Sequence, residues 1–463
     1  IILAVTKDKK NKNIADYFFG GRTLPFWARS ITFIASWWGA GSALSTADLA
    51  FEDGLSAFWY YGAPVLISTA IIILLSKGIR RVGFLTQGKM MEARYSPLVS
   101  KLLSVAVLLF MTVTAASQMV GIGDFFGKYL GINYELAIII GTTIVLIYST
   151  LGGFRGVVLT DIIQFVLLAL SAIIVFVVSM KESGGFSQIA LVAMEQGKDG
   201  YTSFFSGMTK YLPYILTFGT AWMIQANVWQ RISATKNEKD AIKMPIMSFF
   251  VYIPLYLIVV FTGMAGFVLY ETLPQGGIIP AILIDYMNPA LSAVVFVGIS
   301  AAIMSTMDSL INTGAMTLTM DLKMGKTDTT SQMRYSKIAT ISVTLVALLI
   351  ALRIRSILEI SWIASDIITT GIFVPLVLGF FWRRGTSKGA VASMITGGIY
   401  CGYNLLVSLG VALPTFWENQ SITQVLMGIG LSLIIYIGVS LGTKPEYEKA
   451  DAFISSAAMF KKG

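Results

Sequence analysis

The chain of 463 residues contains no histidine and a single cysteine, Cys401. The first absence excludes a Ser-His-Asp or Cys-His nucleophile system and any histidine-ligated zinc; the second excludes an internal disulfide and a cysteine-held metal cluster. Charge is scarce as well, at 13% of residues, while 55% are hydrophobic and the mean hydropathy is +0.74. A water-solvated surface does not tolerate that composition, so a length that would suit several soluble domains reads as one membrane body. With no clear nucleophile and base, an enzyme is not expected. The 34 basic against 25 acidic residues give a net charge of +9. In a soluble protein that would suggest nucleic acid; here it reflects basic loops on one membrane face, with no nucleic-acid partner.

What is present is a series of apolar stretches, each near the roughly 20 residues at 1.5 Å per residue that cross a bilayer. They lie near 27–50, 56–76, 102–127, 134–151, 157–180, 208–230, 244–270, 289–320, 338–353, 357–381, 389–411 and 421–442. These make twelve spans, with 338–353 short for a full crossing, and the apolar residues 1–5 read as the remnant of a leading helix rather than a signal peptide. Alternating the chain through the spans puts the basic loops on one side. They carry Lys7, Lys9, Lys10, Lys12 and Arg22; Lys77, Arg80, Arg81, Lys89 and Arg94; Arg231, Lys236, Lys239 and Lys243; and Lys323, Lys326, Arg334 and Lys337. Arg383, Arg384, Lys388 and the tail from 444 join them, whereas Lys128, Lys181, Lys198, Arg353 and Arg355 are the main exceptions. The positive-inside rule then predicts a multi-pass protein of an inner or plasma membrane with a cytoplasmic C-terminus.

Two spans are irregular. Segment 31–50 carries Gly39 and Gly41 among alanines, and segment 213–231 sets Gly219, Thr220 and Ala221 beside Gln225, Asn227 and Gln230. Each is either a helix break or a site of close helix packing. Two breaks about five helices apart are what an inverted repeat of five plus five helices produces, with the binding site beside them near mid-membrane. The expected organisation is a helix remnant and cytoplasmic loop over 1–24, a first repeat over 25–180 and an external loop over 181–207. A second repeat follows over 208–382, then two additional helices, the last ending near 442, and a cytoplasmic tail within 383–463. The external loop is long enough for a small surface helix or lid around 188–196.

The sharpest polar pattern lies in 289–320. Ala302, Ser305, Thr306 and Ser309 stand at i, i+3, i+4 and i+7 and share one helical face. Their hydroxyls either bond back to their own helix or, with carbonyls exposed at a broken helix, form an oxygen cage suited to Na⁺. Asp308 in the same segment is a carboxylate in a spanning helix, which by default marks an ion, proton or substrate path. Asp161 and Asp366 are further candidates, the former as a cap, an interface residue or a partner of the transported cation. Asp48 lies nearer a helix end.

Four blocks carry a resemblance: DYFFGGR at 16–22, LGGFRGVVLTDIIQ at 151–164, WQRISATKNEKDA at 229–241 and AAIMSTMDS at 301–309. Together they resemble the sodium:solute symporters, which include bacterial carriers of proline, pantothenate, sialic acid and galactose, over essentially the whole chain. The resemblance implies an all-α polytopic membrane protein with a LeuT-like 5+5 inverted repeat and extra helices at both ends. It assigns the principal sodium site to the backbone carbonyls of Ala35, Trp38 and Ala302 with the side-chain oxygens of Ser305 and Thr306. Asp161 matches the family's acidic residue near the sodium exit and, in some members, a second sodium site neighboured by Thr306 and Ser309. Trp222 and Gln225 match positions facing the substrate cavity, joined by Trp37, where the better-known proline and sugar carriers have a polar or acidic residue. Asp308 stands where a small or neutral residue is common, and could alter cation number, bind a proton or contact a cationic substrate. The function implied is sodium-coupled import of a small polar organic solute, of amino-acid type before sugar or carboxylate, by a monomeric transport unit in a lipid bilayer. A sensor built on the same core is the other reading, although the short tail offers no signalling domain.

Overall fold

The computed structural model describes residues 25–84, 86–322, 329–415 and 417–457, and for 151–159 and 329–333 the backbone alone. The expected leading remnant and loop over 1–24, the block at 16–22 and the loop lysines Lys323 and Lys326 lie outside the described residues. Among the described residues all regular structure is helical. In chain order the α-helices are α1 (Phe26–Ala35), α2 (Thr46–Asp53), α3 (Phe58–Val82), α4 (Gln87–Arg94), α5 (Pro97–Leu130) and α6 (Tyr134–Glu182). They continue as α7 (Gly185–Glu195), α8 (Met208–Met223), α9 (Ala226–Ser233), α10 (Glu238–Leu269), α11 (Ile278–Asp285) and α12 (Pro289–Met316). The last six are α13 (Thr329–Arg353), α14 (Ile357–Gly371), α15 (Phe373–Gly379), α16 (Ser387–Ser408), α17 (Ile422–Gly442) and α18 (Tyr447–Ala457). Eight of the described helical segments are long and apolar enough to cross a membrane, and nine if the pair α14–α15, bent by 50°, counts as one. The remaining members of the predicted twelve are the shorter apolar helix Tyr134–Thr150 and the two broken spans.

Both breaks fall where the sequence places them. After α1 the amides of Ser36, Trp37 and Trp38 reach only the carbonyls three residues back, at 3.2, 3.3 and 3.4 Å, and the chain re-enters α2 through a π-helical turn, Gly41–Ser45. Glycine is required there for space rather than backbone angle. A Cβ on Gly39 would lie 2.1 Å from Gln118 Oε1, and one on Gly41 would lie 2.6 Å from the Tyr61 ring. The second span breaks at Ile224 and Gln225, between α8 and α9.

The sequence predicts two spans, near 134–151 and 157–180, where helical bonding runs through α6 for 49 residues. A straight helix would hold Ser149 and Asp161 about 18 Å apart. Their partners, Asp308 and Ser305, are less than a turn apart on α12. α6 is therefore two crossing segments that meet beside α12, joined by backbone that stays helical. Between α6 and α8 the expected surface helix is α7, and the rest of that loop is tied to the first broken span. Tyr201 Oη donates to the carbonyls of Ala50 and Phe51 at 2.8 and 3.1 Å, and Leu55 N donates to Tyr201 O at 2.9 Å. Asp48 accepts from Ile278 N at 2.8 Å and so caps α11.

Two of the arginines counted as loop cations are instead buried. Arg94 is 0% exposed and donates to the carbonyls of Gly379, Trp382 and Gly385 at 2.9, 2.9 and 3.2 Å, satisfying the orphan acceptors that follow α15. Arg231 belongs to the site described next. Summing basic residues cannot separate a solvated loop cation from a buried guanidinium that donates to protein oxygens.

Candidate functional site

Breaking α1 before its helical ladder is complete releases carbonyl oxygens near mid-span, and α12 lies against them. Thr306 Oγ1 is 3.1 Å from Ala35 O and 2.9 Å from Trp38 O, donating its hydrogen between them. Thr306 is 5% and Ser305 2% exposed. Ala302, one turn earlier on α12, is buried on the same face. Three of the five expected oxygens, those of Ala35, Trp38 and Thr306, thus converge directly, all of the hard type that suits Na⁺. Ser305 Oγ is turned toward a different partner, the Asp161 carboxylate, to which it donates.

Asp161 is 0% exposed and accepts from Thr32 Oγ1 as well as Ser305 Oγ. Its cation partner is Arg231, whose Nη2 lies 3.5 Å away. Arg231, 1% exposed on α9, also donates to Thr32 O at 3.0 Å, Asn227 O at 3.0 Å and Ser309 Oγ at 2.8 Å. A carboxylate and a guanidinium are tolerable at this depth because both are paired and hydrogen-bonded. The network joins α1, α6, α9 and α12, immediately beside the Thr306 cluster. Thr32 and Arg231 are functional candidates that sequence reading missed. Arg231 shares a helix face with Asn227 at i+4, a signal drowned by its neighbourhood of loop lysines.

Asp308 points elsewhere. It is 0% exposed, accepts from Ser149 Oγ at Oδ1, and its Oδ2 has no protein partner. The neighbouring Tyr148 donates to Met304 O at 3.1 Å, so this pair faces the first segment of α6 rather than the broken helix. Asp366 is further removed: it accepts from Asn404 Nδ2 at 3.1 Å, linking α14 to α16.

The two breaks also face each other. Trp37 Nε1 donates to Gln225 Oε1, so two expected solute-facing residues meet across the gap between the broken helices. Trp222 stacks on Phe218 with centroids 4.7 Å apart at 12° and lies 4.6 Å from Tyr61. Trp37 contacts Phe33 and Tyr252 at 5.7 and 6.1 Å. The Trp37–Gln225 hydrogen bond thus lies between broken helices that carry aromatic clusters, Phe33, Trp37 and Tyr252 around the first and Tyr61, Phe218 and Trp222 around the second. Ser42 and Tyr256, unremarked in the sequence, fix the break from the side, with Ser42 Oγ 2.6 Å from Trp37 O and 3.1 Å from Tyr256 Oη.

Residues 17–397 match the model of the sodium:solute symporter family, and the chain belongs to that family. It is a transporter of the cell membrane that couples a solute to sodium, not an enzyme. A sodium/glucose cotransporter of Vibrio parahaemolyticus is 25% identical, over 85% of this chain and 80% of that protein. A high-affinity proline transporter of Bacillus subtilis is 24% identical over 96% of both chains, and a sodium/pantothenate symporter of Haemophilus influenzae is 24% identical over 96% and 93%. The structure of a Na⁺-coupled sialic acid symporter, in a substrate-bound outward-open state, superposes with a TM-score of 0.79 at 20% identity, over 96% of this chain and 95% of that one. A structure of MhsT with L-phenylalanine gives 0.57 at 13% identity, over 93% and 98%. The fold is accordingly the LeuT-like one expected.

Proposed function

We propose that the protein imports a small polar organic solute, of amino-acid type, together with sodium by alternating access. The observation that carries the sodium site is the position of Thr306 Oγ1, 3.1 and 2.9 Å from the carbonyls of Ala35 and Trp38. In this reading the Thr306 hydroxyl keeps its hydrogen but turns it away, Na⁺ takes the place of that hydrogen bond among the three oxygens, and Ser305 Oγ and Ala302 O complete the shell. Sodium binding fixes the geometry of the first break, and the break in turn carries Trp37 into the solute site with Trp222 and Gln225. Cation and solute thus stabilise one conformation mutually, which is the coupling that symport requires. An inward-negative potential adds about 2.3 kcal/mol per charge per 100 mV to the driving force. Asp161 and Ser309 stand next on the ion's way inward, with Asp308 as a separate buried carboxylate able to take a further cation or a proton.

The amino-acid reading draws on two kinds of contact, an amide that accepts or donates and aromatic faces that pack an aliphatic or ring side chain or a cationic amine. A sugar is the second reading, favoured by the flat Trp222 and Tyr61 faces and by the glucose-transporting relative. The same proposal makes 25–180 and 208–382 the inverted repeats around the site, with 181–207 external and two helices and a tail over 383–463. It sets the C-terminus in the cytoplasm and a single chain in the bilayer as the transport unit.

Reconstituted liposomes screened with labelled amino acids, sugars and carboxylates, with and without an inward Na⁺ gradient, test it. Sodium-driven accumulation of an amino acid, lost in Ser305→Ala with Thr306→Ala, is the expected result. Uptake indifferent to sodium, or a double variant that couples normally, overturns the cage.

A further inference from the structure

On the side of the site that carries the basic loops, a pocket of about 300 Å³, its open mouth included, lies between α4, α9 and the π-helical turn Thr317–Asp321 that prolongs α12. No lysine or arginine lines it. Oxygens do: the Asp321 carboxylate, Thr86 Oγ1, Gln87 Oε1, Ser233 Oγ and Thr317 Oγ1. Thr86 Oγ1 donates to Asp321 Oδ1 at 2.6 Å. A Cβ on Gly88 would lie 2.9 Å from Asp321 Cγ, so the glycine lets the carboxylate lie directly against α4. Lys89, the next residue, is paired with Glu92 at 2.6 Å. Two polar groups in the lining are left over: Gln87, 4% exposed, has no donor for Oε1, and Ser233, 1% exposed, has no partner for Oγ. Buried acceptors without donors are costly and call for a positively charged or hydrogen-donating guest.

The pocket is also connected to the sodium cage. Ser305, Ser309, Thr313, Thr317 and Asp321 recur every four residues, a polar stripe that follows α12 from the cage to the pocket. Along it Thr313 Oγ1 donates to Gln230 Oε1 at 3.1 Å, and Gln230 itself lines the pocket. Gln87 spends its amide hydrogen on Ile224 O, at 2.7 Å, a carbonyl at the second break. The pocket wall is therefore attached to the second break.

We infer that this pocket is a cytoplasmic-side sodium station, where an ion leaving the Thr306 cage along the hydroxyl stripe is last held before release. Asp321 supplies the charge, and Thr86 Oγ1, Gln87 Oε1 and Ser233 Oγ supply neutral oxygens, a set that fits a partly dehydrated monovalent cation. The inference rests on the sodium-symport reading, and its test separates the two. Val107 lines the pocket from α5; Val107→Cys in a Cys401→Ser background gives a thiol that a membrane-impermeant methanethiosulfonate reaches from the cytoplasmic face of oriented vesicles. Sodium in place of potassium is expected to slow that labelling about fivefold or more. The protection persists when the cage is removed with Ser305→Ala and Thr306→Ala, vanishes with Asp321→Asn and returns with Asp321→Glu. Protection that disappears with the cage, survives Asp321→Asn, or is absent from the outset overturns the station. Failure of the symport reading shows separately, as solute uptake by the parent protein that ignores sodium.

Discussion

At the scale of single residues the site is governed by which buried oxygens and charges have partners. The Asp161–Arg231 pair is enclosed on all sides, so removing one member strands the other. Arg231→Ala is expected to cost about 3–5 kcal/mol, read as a lower unfolding midpoint in detergent. Asp161→Asn combined with Arg231→Gln, which removes both charges, recovers part of the loss, whereas a pair that mattered only for transport would leave both midpoints unmoved. The hydroxyls were legible in the sequence because spacing is a helical observable: Ser305 and Thr306 share a face whatever lies opposite. Several side chains around them were not. Thr32, Arg231 and Gln118 acquire meaning only when α1, α5, α6 and α9 are brought together, and no one-dimensional period encodes that meeting.

The elements show the reverse balance. Each predicted span has its helix among the described residues, since hydropathy over some 20 residues is a strong signal, and the breaks were marked by glycines among alanines in the first and by small residues beside polar ones in the second. What glycine does at those breaks was not legible. Gly39 is there because Gln118 approaches, its Oε1 also accepting from Ala40 N at 2.8 Å, and so holds the re-entry into the π-helical turn. Gly39→Ala puts a methyl into that contact. The expected outcome is about tenfold weaker half-saturation by sodium in uptake assays, the displacement being next to the cage oxygens. Gln118→Ala in the same chain restores space, and should recover part of that sodium affinity while losing the Ala40 bond. If Gly39→Ala transports with unchanged sodium dependence, the cage is not built on this break. The joint within α6 is a second case: the sequence reads as two spans, near 134–151 and 157–180, yet helical bonding runs through the joint between them.

For the whole molecule, the arrangement is a core whose first broken span is held at both ends of α2. Asp48 fastens it to α11, and the loop after α7 clasps its last turn through Tyr201, with Lys198 Nζ 3.2 Å from Glu52 O. Tyr201→Phe removes the hydroxyl that serves two terminal carbonyls of α2. It is expected to cost about 1–2 kcal/mol of local stability and to lower the maximal uptake rate more than the sodium half-saturation, measured in the same vesicles. Equal loss in both would place the loop's effect in the cage instead. A different use of the same clasp follows from Leu55 N, which donates to Tyr201 O just beyond α2, in the span whose break carries the proposed sodium oxygens. That amide exchanges its hydrogen for deuterium only when the clasp opens. On the symport proposal sodium at the break steadies this span, so the exchange is expected to slow as the ion binds, a readout that needs neither solute nor gradient.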